Sequence, residues 1–434
     1  ELRWGEHLVG ATWSASAAGW RPSARVSRNV ASATLGRRAA EGEWIDVEQT
    51  VEEAELAVER GAGRLVPSIG VQLQRRHHRN AWQSGQIVNP FFSPRTPGAF
   101  DIDSSLQTVA AFGALAARSE RTRLDVGVRL TTAAGGRYAA PRIHVSRELS
   151  HRWSVSAAGE RRIQFTTILD EPEPGSIIQP LYLLDRPRRA DAVALGIQHR
   201  TVTEPGVGGG SFELTAFARR FPDRPLLQDD PLSLALAGQP LPERFPRFRR
   251  VRGYATGATL AVIQPLPAGW LVQGGYTFQR AVERFDGTTS ASAWDAPHSL
   301  SLYVNAPLWG KWTLTTTSQL RSGAAATPVV LRVFAPGPPL GGDDLVSRYV
   351  YGARNSVRLP GYARVDAGAR RQWTGVRGSE WSLSLQVINV FARENVMMYD
   401  WRSYYCWRAG ECSSPGAARR GIPIVPTASL EIRW

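Results

Sequence analysis

Residues 381–387 read Trp381-Ser-Leu-Ser-Leu-Gln-Val387, so that every second residue is apolar. The apolar series is Trp381, Leu383, Leu385 and Val387, and the polar series is Ser382, Ser384 and Gln386. Because successive side chains of a β-strand point to opposite faces, this spacing predicts a strand with one apolar and one polar face. A helix would place apolar residues three and four positions apart, which this segment does not do.

The same alternation recurs in residues 124–130, 212–219, 300–306 and 312–317, and again in the last nine residues, Pro426 to Trp434. No run approaches the ~20 apolar residues that a membrane-spanning helix needs. A hydrophobic content of 43% suits strands with only one apolar face. The sequence therefore predicts an all-β protein.

Five tryptophans occupy equivalent places in this pattern: Trp153, Trp270, Trp312, Trp381 and Trp434. The first four follow a short polar or Gly/Pro turn and open an alternating segment, and the fifth ends the chain. Tryptophan prefers the membrane–water boundary, where its ring lies in hydrocarbon and its N–H is wet. We expect these residues to form one aromatic girdle of a transmembrane β-barrel.

The connections between the predicted strands alternate in length. The short ones are residues 61–63, 119–123, 150–151, 203–210, 265–269, 307–311 and 374–379. The intervening, mostly longer ones are residues 76–105, 134–140, 165–188, 222–248, 286–296, 324–360 and 392–425. Short periplasmic turns and long extracellular loops are typical of outer-membrane barrels, so we predict an antiparallel up-and-down barrel of about 18 strands, each of about 9 to 15 residues.

The pattern is weakest in the N-terminal quarter of the chain. Alanine and charged residues blur the alternation there, and a shift of register by one residue would exchange the two faces. The predicted strands of this region are Trp4 to Ser14, Trp20 to Arg28, Ala31 to Ala40 and Asp46 to Arg60.

The net charge of +14 comes from 52 basic residues, of which only Lys311 is not arginine. The arginines are scattered, with no basic tail or stripe, so no nucleic-acid partner is predicted. By strand parity the inward charged side chains are Arg129, Arg219, Arg321, Arg364 and Arg370, with Asp125, Glu213 and Asp366. They form either a lining of salt bridges or a contact path for an anionic ligand.

The two cysteines, Cys406 and Cys412, are six positions apart in a predicted long loop. Such a pair is most simply a disulfide that closes a small hairpin in an oxidising compartment. A metal site has less support, because no second Cys or His pair accompanies it. The chain begins at Glu1 without an initiator Met or a signal segment, which is expected of a mature piece or a fragment.

Several motifs of residues 120–434 resemble the barrel of TonB-dependent receptors, the gated importers of the Gram-negative outer membrane. The segment Leu359-Pro-Gly-Tyr-Ala-Arg-Val-Asp-Ala-Gly368 is similar to a strand of that family, and Val387-Ile-Asn-Val-Phe391 is similar to its Asn-Leu-Phe-Asn segment. Residues 140–143, 275–278, 297–302 and 321–328 also occur in the family's order. The terminal strand that ends in Trp434 resembles the signal by which such barrels reach their assembly machinery.

This resemblance implies an outer-membrane location and contact with lipid and lipopolysaccharide. It also implies uptake of a nutrient ligand of siderophore, cobalamin or glycan type with TonB-derived energy. The family's barrel has 22 strands and an N-terminal plug that contacts the TonB complex. We therefore expect residues 1–434 to be one partial barrel that lacks the plug and the first strands. No cofactor is expected.

The ligand contacts predicted from the sequence are Arg321, Arg364, Tyr404, Tyr405 and Trp407. Other loop aromatics, Phe91, Phe92, Tyr349 and Tyr351, either stack on a ligand or cap the outer girdle. A passive porin and an adhesive or structural barrel are the alternative functions.

Other candidates have weaker support. His77 and His78 are expected to be solvated at a strand-to-loop boundary rather than to bind a metal, and the acidic residues 170–173 and 343–344 are expected to be solvated too. His144 and Ser146 share a strand face, but the sequence shows neither a partner carboxylate nor oxyanion donors for hydrolysis. No catalytic residue and no metal site are predicted.

Overall fold

The computed structural model describes residues 2–36, 44–61, 63–84, 98–168, 181–201, 209–227, 248–285, 287–336, 345–375, 378–399, 406–408, 411–412 and 418–433. The first six strands are β1 (Leu2–Ser14), β2 (Trp20–Gly36), β3 (Trp44–Arg60), β4 (Leu65–Ser84), β5 (Gly98–Arg118) and β6 (Thr122–Ala133). The next six are β7 (Gly136–Glu148), β8 (Trp153–Ile168), β9 (Leu181–Arg200), β10 (Ser211–Leu227), β11 (Phe248–Pro265) and β12 (Leu271–Phe285).

The C-terminal third contains both long and short strands. These are β13 (Thr288–Ala291), β14 (His298–Pro307), β15 (Trp312–Arg321), β16 (Ala325–Ala326), β17 (Val329–Pro336), β18 (Leu345–Tyr351) and β19 (Val357–Arg358). They are followed by β20 (Tyr362–Thr374), β21 (Glu380–Ile388), β22 (Val396–Tyr399), β23 (Cys406–Arg408), β24 (Glu411–Cys412), β25 (Ala418–Arg420) and β26 (Val425–Arg433). Two 3₁₀ turns, Pro267–Gly269 and Trp309–Lys311, lie between strands.

Eighteen strands form one large sheet, β1–β15 with β20, β21 and β26, which confirms the predicted antiparallel up-and-down architecture. The other strands form four small two-stranded sheets within the loops: β16–β19, β17–β18, β22–β25 and β23–β24. In the ranges given above, no helix is long and apolar enough to span a membrane.

Contacts divide the chain into two compact units. The first contains residues 1–146, 158–193 and 220–252, and the second contains residues 147–157, 194–219 and 253–434. Within the first unit, β1 to β6 pair with their sequence neighbours in unbroken antiparallel register. Within the second, β12, β14, β15, β20, β21 and β26 pair in that order.

In the second unit the register aligns the apolar residues of successive strands. Trp381 lies opposite Ile432, Leu383 opposite Leu430 and Leu385 opposite Ala428. We call this side of each unit the apolar face and the opposite side the polar face. The polar partners align as well, since Ser382 lies opposite Glu431. Period-two alternation on neighbouring strands therefore produces a sheet with two chemically distinct faces.

In the first unit the apolar face leaves large side chains open to the surroundings. Val26, Leu56, Ile69, Leu73 and Val109 all belong to it and are each more than half exposed. A contiguous apolar surface of this extent requires an apolar environment or a partner.

Several predictions of strand boundaries are wrong. β4 (20 residues), β5 (21 residues) and β9 (20 residues) are longer than the predicted limit of about 15 residues, because they continue into segments that were predicted as loops. Residues 134–140 are not a loop, because Ala134 and Gly135 adopt positive φ and make a two-residue turn, after which β7 begins at Gly136. The two segments predicted from Trp20 to Ala40 are one strand, β2, which runs to Gly36. No turn-forming residue interrupts it, and its register against β3 continues through Asn29.

The short connections lie at one end of the long strands in each unit, and we call this end the short-turn side and the other the long-loop side. Trp153 and Trp312 are the first residues of β8 and β15, and Trp270 and Trp381 lie within one residue of the start of β12 and β21. Trp20, which is not among the five tryptophans predicted to form the girdle, opens β2 in the same way. Trp434 lies outside the described residues.

Candidate functional site

A cation and an aromatic ring lie together where β15 and β20 end on the long-loop side. Arg321 lies opposite Tyr362 in the register, and its guanidinium carbon is 5.8 Å from the centre of the tyrosine ring. Arg321 is exposed, and none of the described carboxylates forms an ion pair with it. An exposed guanidinium beside an aromatic ring can bind an anionic or aromatic ligand by hydrogen bonding and stacking.

Arg364, two residues further along β20, is held differently. Its Nε and Nη2 donate to both carboxylate oxygens of Asp366, with a shortest distance of 2.6 Å. Asp366 also accepts a hydrogen bond of 2.8 Å from the backbone N–H of Asn389. The bidentate geometry of this pair fixes the Arg364 side chain along the polar face.

Two asparagines hold the start of the segment that follows β21. Asn389 is fully buried, and its Nδ2 donates to the carbonyl oxygens of Arg393 and Ile422 at 3.1 Å and 3.0 Å. Asn395 accepts from the backbone N–H of Ala363 and donates to its carbonyl oxygen, both at 2.8 Å. Asn389 has a φ of 55°, a conformation that asparagine adopts more readily than most residues.

A second polar cluster fixes the connections on the other side of Arg321. Glu283 is 1% exposed at the end of β12, and its carboxylate accepts from the Ser292 hydroxyl at 2.8 Å. Arg354 lies 3.3 Å from the other carboxylate oxygen of Glu283. Because a buried carboxylate is costly without such partners, the three side chains hold two long connections together.

Asp295 extends this cluster. Its carboxylate accepts from the backbone N–H of Ala281 at 2.6 Å and from the Arg358 guanidinium. Asn355 donates to the carbonyl oxygen of Ala291 at 2.7 Å. The bases of the long connections around Arg321 are therefore fixed by buried polar contacts, which presents Arg321 and Tyr362 on a rigid support.

The polar face of the first unit carries its own network. Arg25 pairs with Glu53, and Gln74 donates to Glu53 at 2.9 Å. Arg129 lies 5.9 Å from the centre of the Phe112 ring and donates to Gln72. Arg25, Glu53 and Arg129 thus have polar partners within this face.

The other inward residues named from the sequence are spread over both units. Asp125 pairs with Arg123, Arg370 donates to Ser382 at 2.7 Å, and Arg219 lies 5.1 Å from the centre of the Phe217 ring. Glu213 is exposed and accepts from Thr215. Within each unit, no contact among the described residues joins these side chains into one cluster, apart from the Arg364–Asp366 pair.

The predicted loop aromatics are only partly within the described residues. Tyr404, Tyr405, Phe91 and Phe92 lie outside them, as do the acidic residues 170–173 and 343–344. Trp407, Tyr349 and Tyr351 belong to strands of which the structure describes the backbone only. Cys406 lies directly opposite Cys412 in the β23–β24 pair.

Two histidines do not lie where the sequence predicts. His77 and His78 lie inside β4 rather than at its end, and His78 is 1% exposed instead of solvated. Neither of its ring nitrogens has a hydrogen-bond partner among the described residues. His144 lies 3.7 Å from Asp125, but no described contact joins it to Ser146. No described group of three His, Cys, Asp or Glu side chains could hold a metal ion.

The family model described as TonB dependent receptor-like, beta-barrel matches residues 5–390 of the chain. A search of curated proteins found no match to this chain.

Three solved structures illustrate the likeness in fold. The ferripyoverdine receptor of the outer membrane of Pseudomonas aeruginosa, bound to ferripyoverdine, has a TM-score of 0.65 and 15% identity and is covered over 56% of its length by 98% of this chain. The unliganded ferric citrate transporter FecA has a TM-score of 0.63 and 13% identity, with 61% of it and 99% of this chain covered. The ferric-catecholate import receptor Fiu of E. coli K12 has a TM-score of 0.59 and 13% identity, with 64% and 99% covered. The chain thus spans less than two thirds of the length of each receptor.

Proposed function

Since the chain belongs to the TonB-dependent receptor β-barrel family, we propose that it is part of an outer-membrane receptor that imports a nutrient ligand with energy from TonB. The ligand is a siderophore, cobalamin or glycan, and it binds from the long-loop side. The apolar face contacts outer-membrane lipid. No covalent chemistry is involved. The family match over residues 5–390 is the observation that carries the proposal.

The arrangement around Arg321 supports the capture of a ligand at this place. Arg321 is exposed, stacks near Tyr362 and stands between two sets of buried polar contacts that fix the neighbouring connections. A rigid support lowers the entropy lost on binding. We assign Arg321 as the first ligand contact. Arg364, Tyr404, Tyr405 and Trp407 are further proposed contacts, with Arg364 acting through its pair with Asp366.

Transport by cells with and without the intact gene tests the proposal. We expect the gene to be required for uptake of at least one labelled ligand from a panel of ⁵⁵Fe-siderophores, cobalamin and glycans. Uptake should stop when TonB is deleted or when the proton gradient is collapsed. Uptake that continues without TonB would favour a passive porin, and unchanged uptake of the whole panel without the gene would favour an adhesive or structural barrel.

A substitution of Arg321 tests the site. Arg321→Gln should reduce ligand binding by about tenfold, as expected when a charged hydrogen-bond donor is lost. Arg118→Gln is the control, because Arg118 is also exposed but lies at the short-turn end of β5. Equal binding by both variants would remove Arg321 from the site and leave the transport proposal intact.

A further inference from the structure

The apolar face of the first unit has a sharp upper limit. Across β2 to β5, the register aligns Ala24, Leu56, Val71 and Ala111 in one row, and the next row towards the long-loop side is Val26, Ala54, Leu73 and Val109. The row after that on the same face is Arg28, Glu52, Arg75 and Gln107. The face changes from apolar to charged within a single step of the strand pleat.

A groove of about 680 Å³ runs along this limit. The Val26 row, continued by Ala11 of β1, forms its apolar wall, and the Arg28 row, continued by Val9, forms its charged wall. The backbone of the row between them, from Gly10 to Thr108, forms the floor. Ala54 stands between the larger Val26 and Leu73, and its small side chain leaves the apolar wall hollow.

The charged wall carries more positive than negative charge. Arg28 and Arg75 are exposed, and Glu52 lies 3.7 Å from Arg28. One step further towards the long-loop side, His77 pairs with Asp103 at 3.3 Å. Arg75 has no ion pair with any described carboxylate, so its guanidinium is free to bind an anion. Arg28 can also bind an anion if that anion replaces Glu52 as its partner.

We infer that this groove binds one phosphate-bearing lipid of the outer leaflet. Its phosphate contacts Arg75 and Arg28, and an acyl chain lies along Val26, Ala54 and Leu73. This inference rests on the membrane location proposed above. Two features support it: the groove lies at the limit of the apolar face, where head groups begin, and guanidinium groups match phosphate geometry.

Native mass spectrometry of the full-length purified receptor with bisphosphorylated lipid A tests this site. We expect one lipid to remain bound, and we expect dephosphorylated lipid A to bind at least tenfold more weakly. Inorganic phosphate at the same concentration should not displace the lipid, because it lacks the acyl chain. Equal binding of the two lipids, or displacement by phosphate alone, would overturn the inference.

Variants test each wall of the groove separately. Arg28→Gln with Arg75→Gln should weaken lipid A binding at least tenfold, and Ala54→Phe should do the same by filling the hollow. Arg280→Gln is the control, because Arg280 is exposed on the same face of β12 as Tyr276 and does not line the groove. If the double variant binds as the control does, the inference is wrong.

Uptake by the same variants separates the two proposals. Normal transport together with unchanged lipid binding would refute the lipid site only. Unchanged uptake of the whole panel in a strain that lacks the gene would refute the import function and leave the lipid site untouched.

Discussion

Arg354 places a guanidinium nitrogen 3.3 Å from a carboxylate oxygen of Glu283, although the two residues are 71 positions apart in the chain. Glu283 also accepts the Ser292 hydroxyl, so one nearly inaccessible carboxylate joins three segments. Such a group is stabilised only while its partners are present, because its desolvation is otherwise uncompensated. The conformation of the long connections beside Arg321 therefore depends in part on this buried carboxylate, together with the contacts of Asp295 and Asn355.

Glu283→Gln should lower the free energy of unfolding by about 2 kcal/mol, the typical cost of losing hydrogen bonds to a charged group. Thermal unfolding in detergent, followed by circular dichroism, measures this change. Glu380→Gln is the matched control, since Glu380 is exposed at the start of β21 and should change stability by less than about 0.5 kcal/mol. A similar midpoint for both variants would contradict the anchoring role of Glu283.

Asp366→Asn should release the segment that follows β21. The amide cannot accept two hydrogen bonds from Arg364, and it weakens the bond from the Asn389 N–H. We expect a loss of about 2 kcal/mol and faster proteolysis after residue 388. Asp125→Asn is the comparison, because the more exposed Asp125–Arg123 pair should contribute at most about 1 kcal/mol. Unchanged proteolysis in Asp366→Asn would show that the hydrogen bonds of Asn389 and Asn395 are enough to hold this segment in place.

Trp373 and Trp381 stack across β20 and β21, with ring centres 6.1 Å apart and planes 24° apart. A double-mutant cycle to Ala should give a coupling free energy of about 0.5–1.5 kcal/mol. The pair Trp270 and Trp381 is the control, because their strands β12 and β21 are not neighbours and the effects should add. Additive effects for the stacked pair would mean that the two rings do not stabilise each other, and that each contributes only through its contacts with other residues.

Gly70→Ala should destabilise the first unit by about 1–3 kcal/mol, the usual cost of overpacking. A Cβ atom at Gly70 would overlap the Phe112 ring and lie 2.7 Å from the carbonyl oxygen of Leu56. Gly113→Ala is a matched control on the neighbouring strand, where the nearest atom would be 3.9 Å away. Both variants are compared by thermal unfolding. Equal midpoints would show that the ring moves aside freely.

Cys406 and Cys412 should form a disulfide. Opposed residues of an antiparallel pair have Cα atoms about 4.5–5.5 Å apart, which is within the span that a disulfide bridges. The protein should therefore carry no maleimide adduct when it is treated without prior reduction, and two adducts when it is reduced first. Mass spectrometry measures the number of adducts. Two adducts without reduction would refute the prediction.

The strand faces could be predicted from the sequence because a period of two is visible without knowledge of the partner strand. Leu300 and Leu302 lie on one face, as predicted, and the register aligns them with Leu320 and Ser318. The strand ends were predicted less well. β6 and β7 continue up to the turn at Ala134, because two positive-φ residues are enough to reverse the chain.

Some of the polar contacts could be predicted from the sequence and others could not. The pairing of Arg364 with Asp366 follows from sequence, because residues two apart on a strand share a face. The contact between Glu283 and Arg354 does not, since neither residue lies in a motif and the separation of 71 positions gives no local signal. His78 was misjudged because its strand continues past the charged residues that suggested a loop.

Asn389 connects the two ends of the segment between β21 and β26, since one amide binds the carbonyl oxygens of both Arg393 and Ile422. The ends are thereby closed independently of what lies between them. The entropic cost of closing a loop rises only slowly with its length. We therefore expect that the residues between these two ends can be shortened, extended or replaced while β26 keeps its starting point. An epitope tag inserted there should leave the pairing of β26 with β21 intact, and under the proposed orientation it would be detected on the surface of intact cells.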